Sequence, residues 1–221
     1  MYVYRSNKVM KLDEVEKLGI EANSILDIGA HSGQFYGWAK NTWPSSVIWM
    51  VESNQVHEQT LKNLTTDKND EYLITALGDE EREVTFDTRK DKPHTEGNSY
   101  YKEANYWDIP QLVLESKVKL QRLDDLFTEG TKFELIKLDT QGSELDILRG
   151  GKNTVSKSSA VILEVAYVEY NLGSPLAEEV IDYMKSIEFD IYLEIGEHYS
   201  NEPQWKDIIV QKDLLFYKKE N

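Results

Sequence analysis

The chain has 221 residues, enough for one sizeable hydrophobic core, and its 40 acidic and 25 basic residues give a formal net charge of −15. This charge argues against nucleic acids and anionic membranes as partners, because both require a positively charged protein surface. The chain contains no cysteine, which excludes disulfides, thiolate metal sites and a cysteine nucleophile. Neither a membrane span nor the apolar core of a signal peptide is recognisable, so we expect a cytoplasmic protein.

An N-terminal extension over residues 1–23 carries a short predicted helix. Apolar residues recur at three-residue steps over residues 9–19, and Gly19 ends the pattern, as glycine commonly does at helix C-termini. We expect this helix to lean on the first strand of the sheet that follows.

The next stretch predicts a strand, a glycine turn and a helix. The strand lies at residues 24–28, Gly29 and Gly33 form the turn, and an amphipathic pattern continues to about Asn41. Gly29 allows a sharp turn, and Gly33 allows the helix N-terminus and a ligand to approach the backbone closely. Together these elements are the first unit of a nucleotide-binding α/β sheet.

The second predicted strand, at residues 47–51, ends in Glu52. In doubly wound sheets, a carboxylate at this point accepts hydrogen bonds from the ribose hydroxyls of an adenosine. The glycine turn differs from the Gly-x-Gly-x-x-Gly turn that binds a dinucleotide pyrophosphate. With Asp27 at the strand end, it suits a phosphate-free ligand with ammonium and sulfonium groups, which describes S-adenosylmethionine. A structural turn beside a surface glutamate is the alternative.

The third predicted strand, at residues 72–77, ends at Gly78 and Asp79. Residues just past the third strand border the adenine in such sheets. Asp79 is therefore a candidate acceptor for the exocyclic amine, although a turn-forming Gly-Asp pair explains it equally well.

Residues 81–120 interrupt the alternation of strands and helices. Strand character is visible at residues 83–86 and 118–120, whereas residues 87–110 are polar and carry Asn, Tyr and Trp. A long insertion at the carboxyl end of the strands is typical of a substrate-binding flap, and aromatic and amide side chains suit sugar faces and hydroxyls. An ordinary surface excursion has the same composition.

A second informative stretch begins with the strand predicted at residues 133–138. This strand ends at Asp139, and a turn leads into a helix that we expect Ser143 to cap. The next strand ends in the same way at Glu164. Because carboxyl strand ends face the ligand crevice in open α/β sheets, Asp139 and Glu164 form a chemically useful pair. Glu144, in the first turn of the helix, is expected from the helix dipole alone.

The C-terminal part predicts a helix at residues 177–186 and strands at residues 189–195 and 214–217, which suit an antiparallel hairpin. We therefore expect a single α/β domain over residues 1–221. It would be a Rossmann-like, mostly parallel seven-stranded sheet with helices on both faces.

Two motifs resemble those of the FkbM family of S-adenosylmethionine-dependent methyltransferases. The turn Asp-Ile-Gly-Ala-x-x-Gly at residues 27–33 is shared by many methyltransferases. The run Lys-x-Asp-x-Gln-Gly-x-Glu, followed by Leu-x-Gly-Gly, is more specific and spans residues 137–151. The resemblance covers about residues 24–195, with shorter matches at residues 76–79, 97–99, 123–124 and 162–164.

This resemblance implies a class I methyltransferase that methylates a hydroxyl, often on a sugar of a glycan, glycolipid or natural product. Glu52 would hold the ribose, and Ser99 would reach the carboxylate of the cofactor. The candidate cofactor-binding residues are Asp27, Gly29, Ala30, His31, Gly33, Glu52, Ser53, Ala76, Leu77, Asp79, Ser99, Asp139 and Gln141.

A hydroxyl is a weak nucleophile, so methyl transfer requires a general base or a metal ion that lowers its pKa. We expect Asp139 to take the proton, or to bind a divalent cation together with Glu164. An all-oxygen site suits Mg²⁺ or Mn²⁺ rather than Zn²⁺. His31, where the family more often has Asn, is a second candidate base.

The acceptor, a glycan or a small molecule, and the oligomeric state do not follow from the sequence, and two other functions stay open. An NAD-dependent sugar reductase or epimerase would commonly use Tyr-x-x-x-Lys. That spacing occurs here at Tyr4 and Tyr36, before the glycine turn or in its helix, where it cannot serve. The other alternative is a catalytically inactive binding module, against which the intact carboxylate set argues.

Overall fold

The computed structural model describes residues 10–66, 68–90, 93, 99–102, 110–127, 129–199, 205 and 207–218. The strands are β1 (Ser24–Ile28), β2 (Val47–Glu52), β3 (Glu71–Ile74), β4 (Ala76–Gly78), β5 (Glu83–Arg89), β6 (Val113–Arg122), β7 (Leu135–Leu138), β8 (Ala160–Ala166), β9 (Phe189–Tyr199) and β10 (Ile209–Lys218). The helices are α1 (Leu12–Lys17), α2 (Gln34–Thr42), α3 (Glu58–Thr65), α4 (Leu123–Leu126), α5 (Glu144–Gly150), α6 (Lys152–Ser156) and α7 (Ala177–Ser186).

Seven strands form one sheet in the order β3-β2-β1-β7-β8-β10-β9. The first five strands in this order are parallel, and β10 runs antiparallel to both of its neighbours. This arrangement confirms the predicted fold. The strand order switches direction between β1 and β7, which is where open α/β sheets bind ligands.

Helices cover both faces of this sheet because its strands are apolar on both sides. On β1, Leu26 and Ile28 belong to the core shared with α4, α5, α6 and α7. Ile25, on the opposite face, belongs to the core shared with α1, α2 and α3. All four residues of β7 are buried, as expected for a central parallel strand.

The strand predicted at residues 72–77 is instead two strands in two different sheets. β3 ends at Ile74, and the backbone N–H of Thr75 donates to the carbonyl of Glu52 at 2.9 Å. The Thr75 hydroxyl then donates to Gln121 at 2.7 Å. This bond directs the chain towards β6, with which β4 pairs in parallel.

The inserted residues form most of the second, three-stranded sheet, in the order β4-β6-β5. β5 and β6 are antiparallel, in agreement with the strand character expected at residues 83–86 and 118–120. Most of the expected flap lies outside the described residues, including Gly97 and Asn98 of the family resemblance. None of the described helices combines the length and apolarity needed to cross a membrane.

Candidate functional site

The carboxyl ends of β1, β2 and β7 border an open cleft. Predicted site residues from four separate stretches of the chain meet there. The predicted site residues that line the cleft are Gly29, Ala30, His31, Glu52, Ser53, Ala76, Leu77, Asp139 and Gln141.

The turn after β1 packs tightly against the ends of both neighbouring strands. The N–H groups of Gly29 and Ala30 donate to the carbonyl of Val51 at 2.9 and 3.1 Å. Gly29 has a φ of +78°, and a Cβ there would overlap the backbone carbonyl of Asp139. Glycine is therefore required at this position both by its backbone conformation and by the close approach of Asp139, the first residue after β7.

Glu52 is held at the end of β2 by two backbone groups. Its Oε2 accepts a hydrogen bond from the N–H of His31 at 2.8 Å, and its Oε1 accepts one from the N–H of Asn54 at 2.7 Å. The carboxylate is thus fixed in the cleft lining between two loops, in the position expected of the residue that binds the ribose.

Asp27 lies behind the cleft lining and is fully buried. Its Oδ1 is 3.2 Å from Nζ of Lys137, which also donates to the carbonyl of Gly29 at 3.0 Å. Burial raises the pKa of Asp27, and the Lys137 ammonium opposes that rise. Asp27 is not part of the cleft lining, and it contacts the cleft-lining Lys137 instead, so its direct contact with a cofactor stays a prediction. In the sequence, Lys137 stands within an apolar strand, and this position indicates that the lysine has a buried acidic partner.

Asp139 and Glu164 are joined by one amide group. Nε2 of Gln141 donates to Oδ1 of Asp139 at 3.0 Å and to Oε2 of Glu164 at 2.8 Å. Asp139 reaches the cleft with a 13% exposed side chain, whereas Glu164 lies behind Gln141 and outside the lining. The Gln141 side chain therefore separates the two carboxylates that the sequence paired.

Glu144 does more than complement the helix dipole. Its buried carboxylate accepts hydrogen bonds from the N–H groups of Thr140 and Gly142, at 2.7 and 2.9 Å. Burial raises its pKa to about 7. The capping role expected of Ser143 is absent, because its hydroxyl donates to the carbonyl of Thr140 instead. Glu144 thus fixes the turn that carries Gln141.

Gly33 does not line the cleft, contrary to expectation. Its φ of +83° begins α2, and a Cβ there would overlap Cδ1 of Leu64. The glycine therefore permits the close packing of α3 against the turn rather than the approach of a ligand.

Asp79 and Ser99 also lie outside the cleft lining. The break after β3 carries the chain, and Asp79 with it, towards the second sheet. Oδ1 of Asp79 lies 3.6 Å from the Arg82 guanidinium. The Ser99 hydroxyl is buried and accepts a hydrogen bond from the N–H of Tyr101 at 3.1 Å. The cofactor contacts expected of these two residues are not supported by their positions.

Sequence reasoning missed one aromatic and amide wall of the cleft. Phe35 and Trp38 of α2 lie on it, together with Gln34 and with Phe86 of β5. The amphipathic pattern of α2 indicated a buried face. That pattern could not distinguish side chains in the core from side chains that line a cleft.

The family model for the methyltransferase FkbM domain matches residues 27–191, well over half of the chain. The chain belongs to the FkbM methyltransferase family. A curated relative, the 2-O-methyltransferase NoeI of Sinorhizobium fredii strain NGR234, is 33% identical over 73 residues. That stretch covers 32% of this chain and 30% of NoeI.

Solved methyltransferases share the fold at low sequence identity. A Clostridium acetobutylicum S-adenosylmethionine-dependent methyltransferase has a TM-score of 0.54 and 10% identity, with 95% of this chain and 89% of that chain covered. Magnesium protoporphyrin IX methyltransferase from Synechocystis, solved with bound S-adenosylmethionine, has a TM-score of 0.52 and 10% identity. It is matched over 93% of this chain and 74% of its own.

The cleft of this FkbM-family chain has the chemistry that S-adenosylmethionine requires. The carboxylate of Glu52 can accept hydrogen bonds from ribose hydroxyls. Ala76, Leu77 and Ile147 supply apolar surface of the kind that lines cofactor sites.

Proposed function

We propose that the protein transfers a methyl group from S-adenosylmethionine to a hydroxyl of a sugar, in a glycan or glycoconjugate. The observation that carries this proposal is the position of Asp139, a partly exposed carboxylate in the lining of a cleft built on a methyltransferase fold. The partial match to a 2-O-methyltransferase supports oxygen as the acceptor atom.

The cofactor supplies a methyl group on a positively charged sulfur. Glu52 binds the ribose, Ala76 and Leu77 border the adenine, and Asp139 accepts the proton of the acceptor hydroxyl. Gln141 orients Asp139 through the 3.0 Å hydrogen bond, so the base is in place before the acceptor arrives.

The aromatic wall is the proposed acceptor side of the cleft. Phe35, Trp38 and Phe86 line the cleft and would pack against the C–H surface of a sugar, whose hydroxyls the amide of Gln34 would bond. The ring of His31, the second candidate base, lies in the lining but against His57, with 4.0 Å between ring centroids. This contact favours Asp139 as the base.

Metal assistance at Asp139 and Glu164, by Mg²⁺ or Mn²⁺, stays a prediction. The two carboxylates share the amide of Gln141, so an ion bridging them would have to displace that side chain.

The test incubates the protein with methyl-labelled S-adenosylmethionine and a panel of mono- and oligosaccharides. We expect the label to enter a sugar as an alkali-stable methyl ether. Alkali-labile methyl esters, or label on nitrogen, would overturn hydroxyl methylation. A panel of lipid and small-molecule alcohols in parallel distinguishes a wrong acceptor class from an inactive protein.

A further inference from the structure

Behind Gln141, three buried side chains from neighbouring strands meet on one face of the sheet. Glu164 of β8 is paired in register with Asp213 of β10, and His198 of β9 lies opposite Gln211. Their exposed fractions are 5%, 1% and 4%, in the order Glu164, Asp213, His198. Sequence reasoning singled out only the first of them.

The spacing of these groups fits ligands around one ion, and His198 is also within hydrogen-bond distance of Asp213. Nε2 of His198 lies 2.9 Å from Oδ2 of Asp213 and 3.5 Å from Oε1 of Glu164. One ligand atom from each residue lies within 4.8 Å of the other two. Ligand atoms about 2.1 Å from an ion are about 3.0 Å apart at a right angle and about 3.4 Å apart at the tetrahedral angle.

A bound cation would stabilise the negative charge of this cluster. Two carboxylates removed from water beside one imidazole leave an excess of negative charge, which is costly unless it is compensated. Oδ1 of Asp213 is buried and has no hydrogen-bond partner among the residues that the structure describes. It belongs to the same carboxylate whose Oδ2 faces His198, so the unpartnered oxygen lies at the cluster itself.

A glycine on β9 lets this carboxylate lie close to the backbone of the neighbouring strand. Gly196 of β9 lies in register with Asp213, and a Cβ there would overlap Oδ2 of Asp213. On the other side, Oε2 of Glu164 accepts hydrogen bonds from Gln211 and Gln141, at 2.9 and 2.8 Å. These bonds hold the Glu164 carboxylate so that its other oxygen is directed at His198.

We propose that Glu164, His198 and Asp213 bind a divalent transition-metal ion. Two carboxylates and an imidazole suit Mn²⁺ or Zn²⁺ better than Mg²⁺, which prefers oxygen ligands and water. None of the three residues lines the cleft, so the ion serves to position residues rather than to activate the acceptor. It joins β8, β9 and β10, and it orients Asp139 through Glu164 and Gln141. Only this last effect rests on the proposed function.

The test titrates the full chain, freed of metal by chelation, with MnCl₂ and follows the electron paramagnetic resonance signal of free Mn²⁺. We expect one ion per chain. Asp213→Asn and His198→Gln should weaken binding by more than the about 10–100-fold typical of changes to outer-shell partners. Glu197→Gln, which removes an exposed carboxylate from the same strand, is the matched control and should bind normally. A parallel titration with ZnCl₂ identifies the preferred ion.

Absence of saturable Mn²⁺ and Zn²⁺ binding by the wild-type chain, or undiminished binding by both variants, would overturn the proposal. If the variants do not fold, electron spin echo modulation of the wild-type Mn²⁺ complex decides. A coupled imidazole nitrogen supports the site, and its absence contradicts it. S-adenosylmethionine binding, measured on the same metal-free samples, separates failure of the metal site from failure of the proposed methyl transfer.

Discussion

Lys137 and Asp27 form a buried ion pair between two neighbouring strands, with 3.2 Å between Nζ and Oδ1. The same ammonium lies 3.7 Å from Oδ2 of Asp139 and donates to the carbonyl of Gly29. One side chain thus connects the glycine turn after β1 with the proposed base after β7. This lysine therefore stabilises the site by contacting both strand ends.

Lys137→Met should destabilise the fold, because it leaves Asp27 buried without its cation. We expect a loss of about 3–5 kcal/mol in the free energy of unfolding, as for other broken buried pairs. Urea denaturation followed by circular dichroism measures it. Lys132→Met, at an exposed position shortly before β7, is the control and should change the free energy by less than about 0.5 kcal/mol. Equal stability of the two variants would contradict the structural role of the pair.

Asp139→Asn should lower kcat by about 10²–10⁴-fold, the usual contribution of a general base, and leave S-adenosylmethionine affinity nearly unchanged. Methyl transfer and calorimetric titration measure the two quantities on one preparation. Asp182→Asn, on the exposed face of α7, should keep full activity. An equal loss of cofactor affinity and turnover in Asp139→Asn would assign Asp139 to the cofactor site instead.

Gly29→Ala should lower the free energy of unfolding, whereas Gly37→Ala should raise it. At Gly29 the positive φ and the overlap with the Asp139 carbonyl predict a loss of at least about 1–3 kcal/mol and of cofactor binding. At Gly37, within α2, a Cβ meets no described atom within 4 Å, so alanine should stabilise the fold by about 0.4–1 kcal/mol. Thermal unfolding with and without S-adenosylmethionine compares them. Normal cofactor binding by Gly29→Ala would contradict the turn geometry.

Glu144 should make stability depend on pH. Burial raises its pKa from 4.5 to about 7, so the folded state binds a proton more tightly than the unfolded state. This contribution is fully present below about pH 4.5 and is lost as the pH rises through about 7. Relative to Glu144→Gln, the wild-type chain should lose about 3 kcal/mol of its free energy of unfolding as the pH rises from about 4.5 to about 7.

Denaturation curves of both proteins between pH 4 and 8 measure this difference. The two proteins share every other titrating group. The pH dependence of the difference between their free energies of unfolding therefore belongs to Glu144. Parallel pH profiles of the two proteins would show that the carboxyl group titrates normally.

The main sheet could be predicted because its strands are short apolar runs that end in glycine or an acid. This pattern located β1, β2, β7 and β8, and with them Gly29, Glu52 and Asp139 in the cleft lining. The break at Thr75 could not be predicted, since residues on both sides of it are equally apolar. The break depends on a hydrogen bond to Gln121, a residue distant in the chain.

The supporting residues of the site were missed for a related reason. Lys137 and Glu144 stand in the motif that identified the family, but their roles depend on partners that only the folded chain provides. His198 and Asp213 lie on the two final strands, whose register against β8 is not encoded in any local pattern. Sequence therefore located the ends of the central strands and not the groups that hold them.

The proposed methyl transfer requires that this cleft bind S-adenosylmethionine. Calorimetric titration with S-adenosylmethionine, S-adenosylhomocysteine and NAD, on the wild-type chain and on Glu52→Ala, tests it most directly. We expect saturable binding of the first two ligands, none of NAD, and a large loss of affinity in the variant. Binding of NAD alone, or of none of the three in the presence of a sugar acceptor, would contradict it.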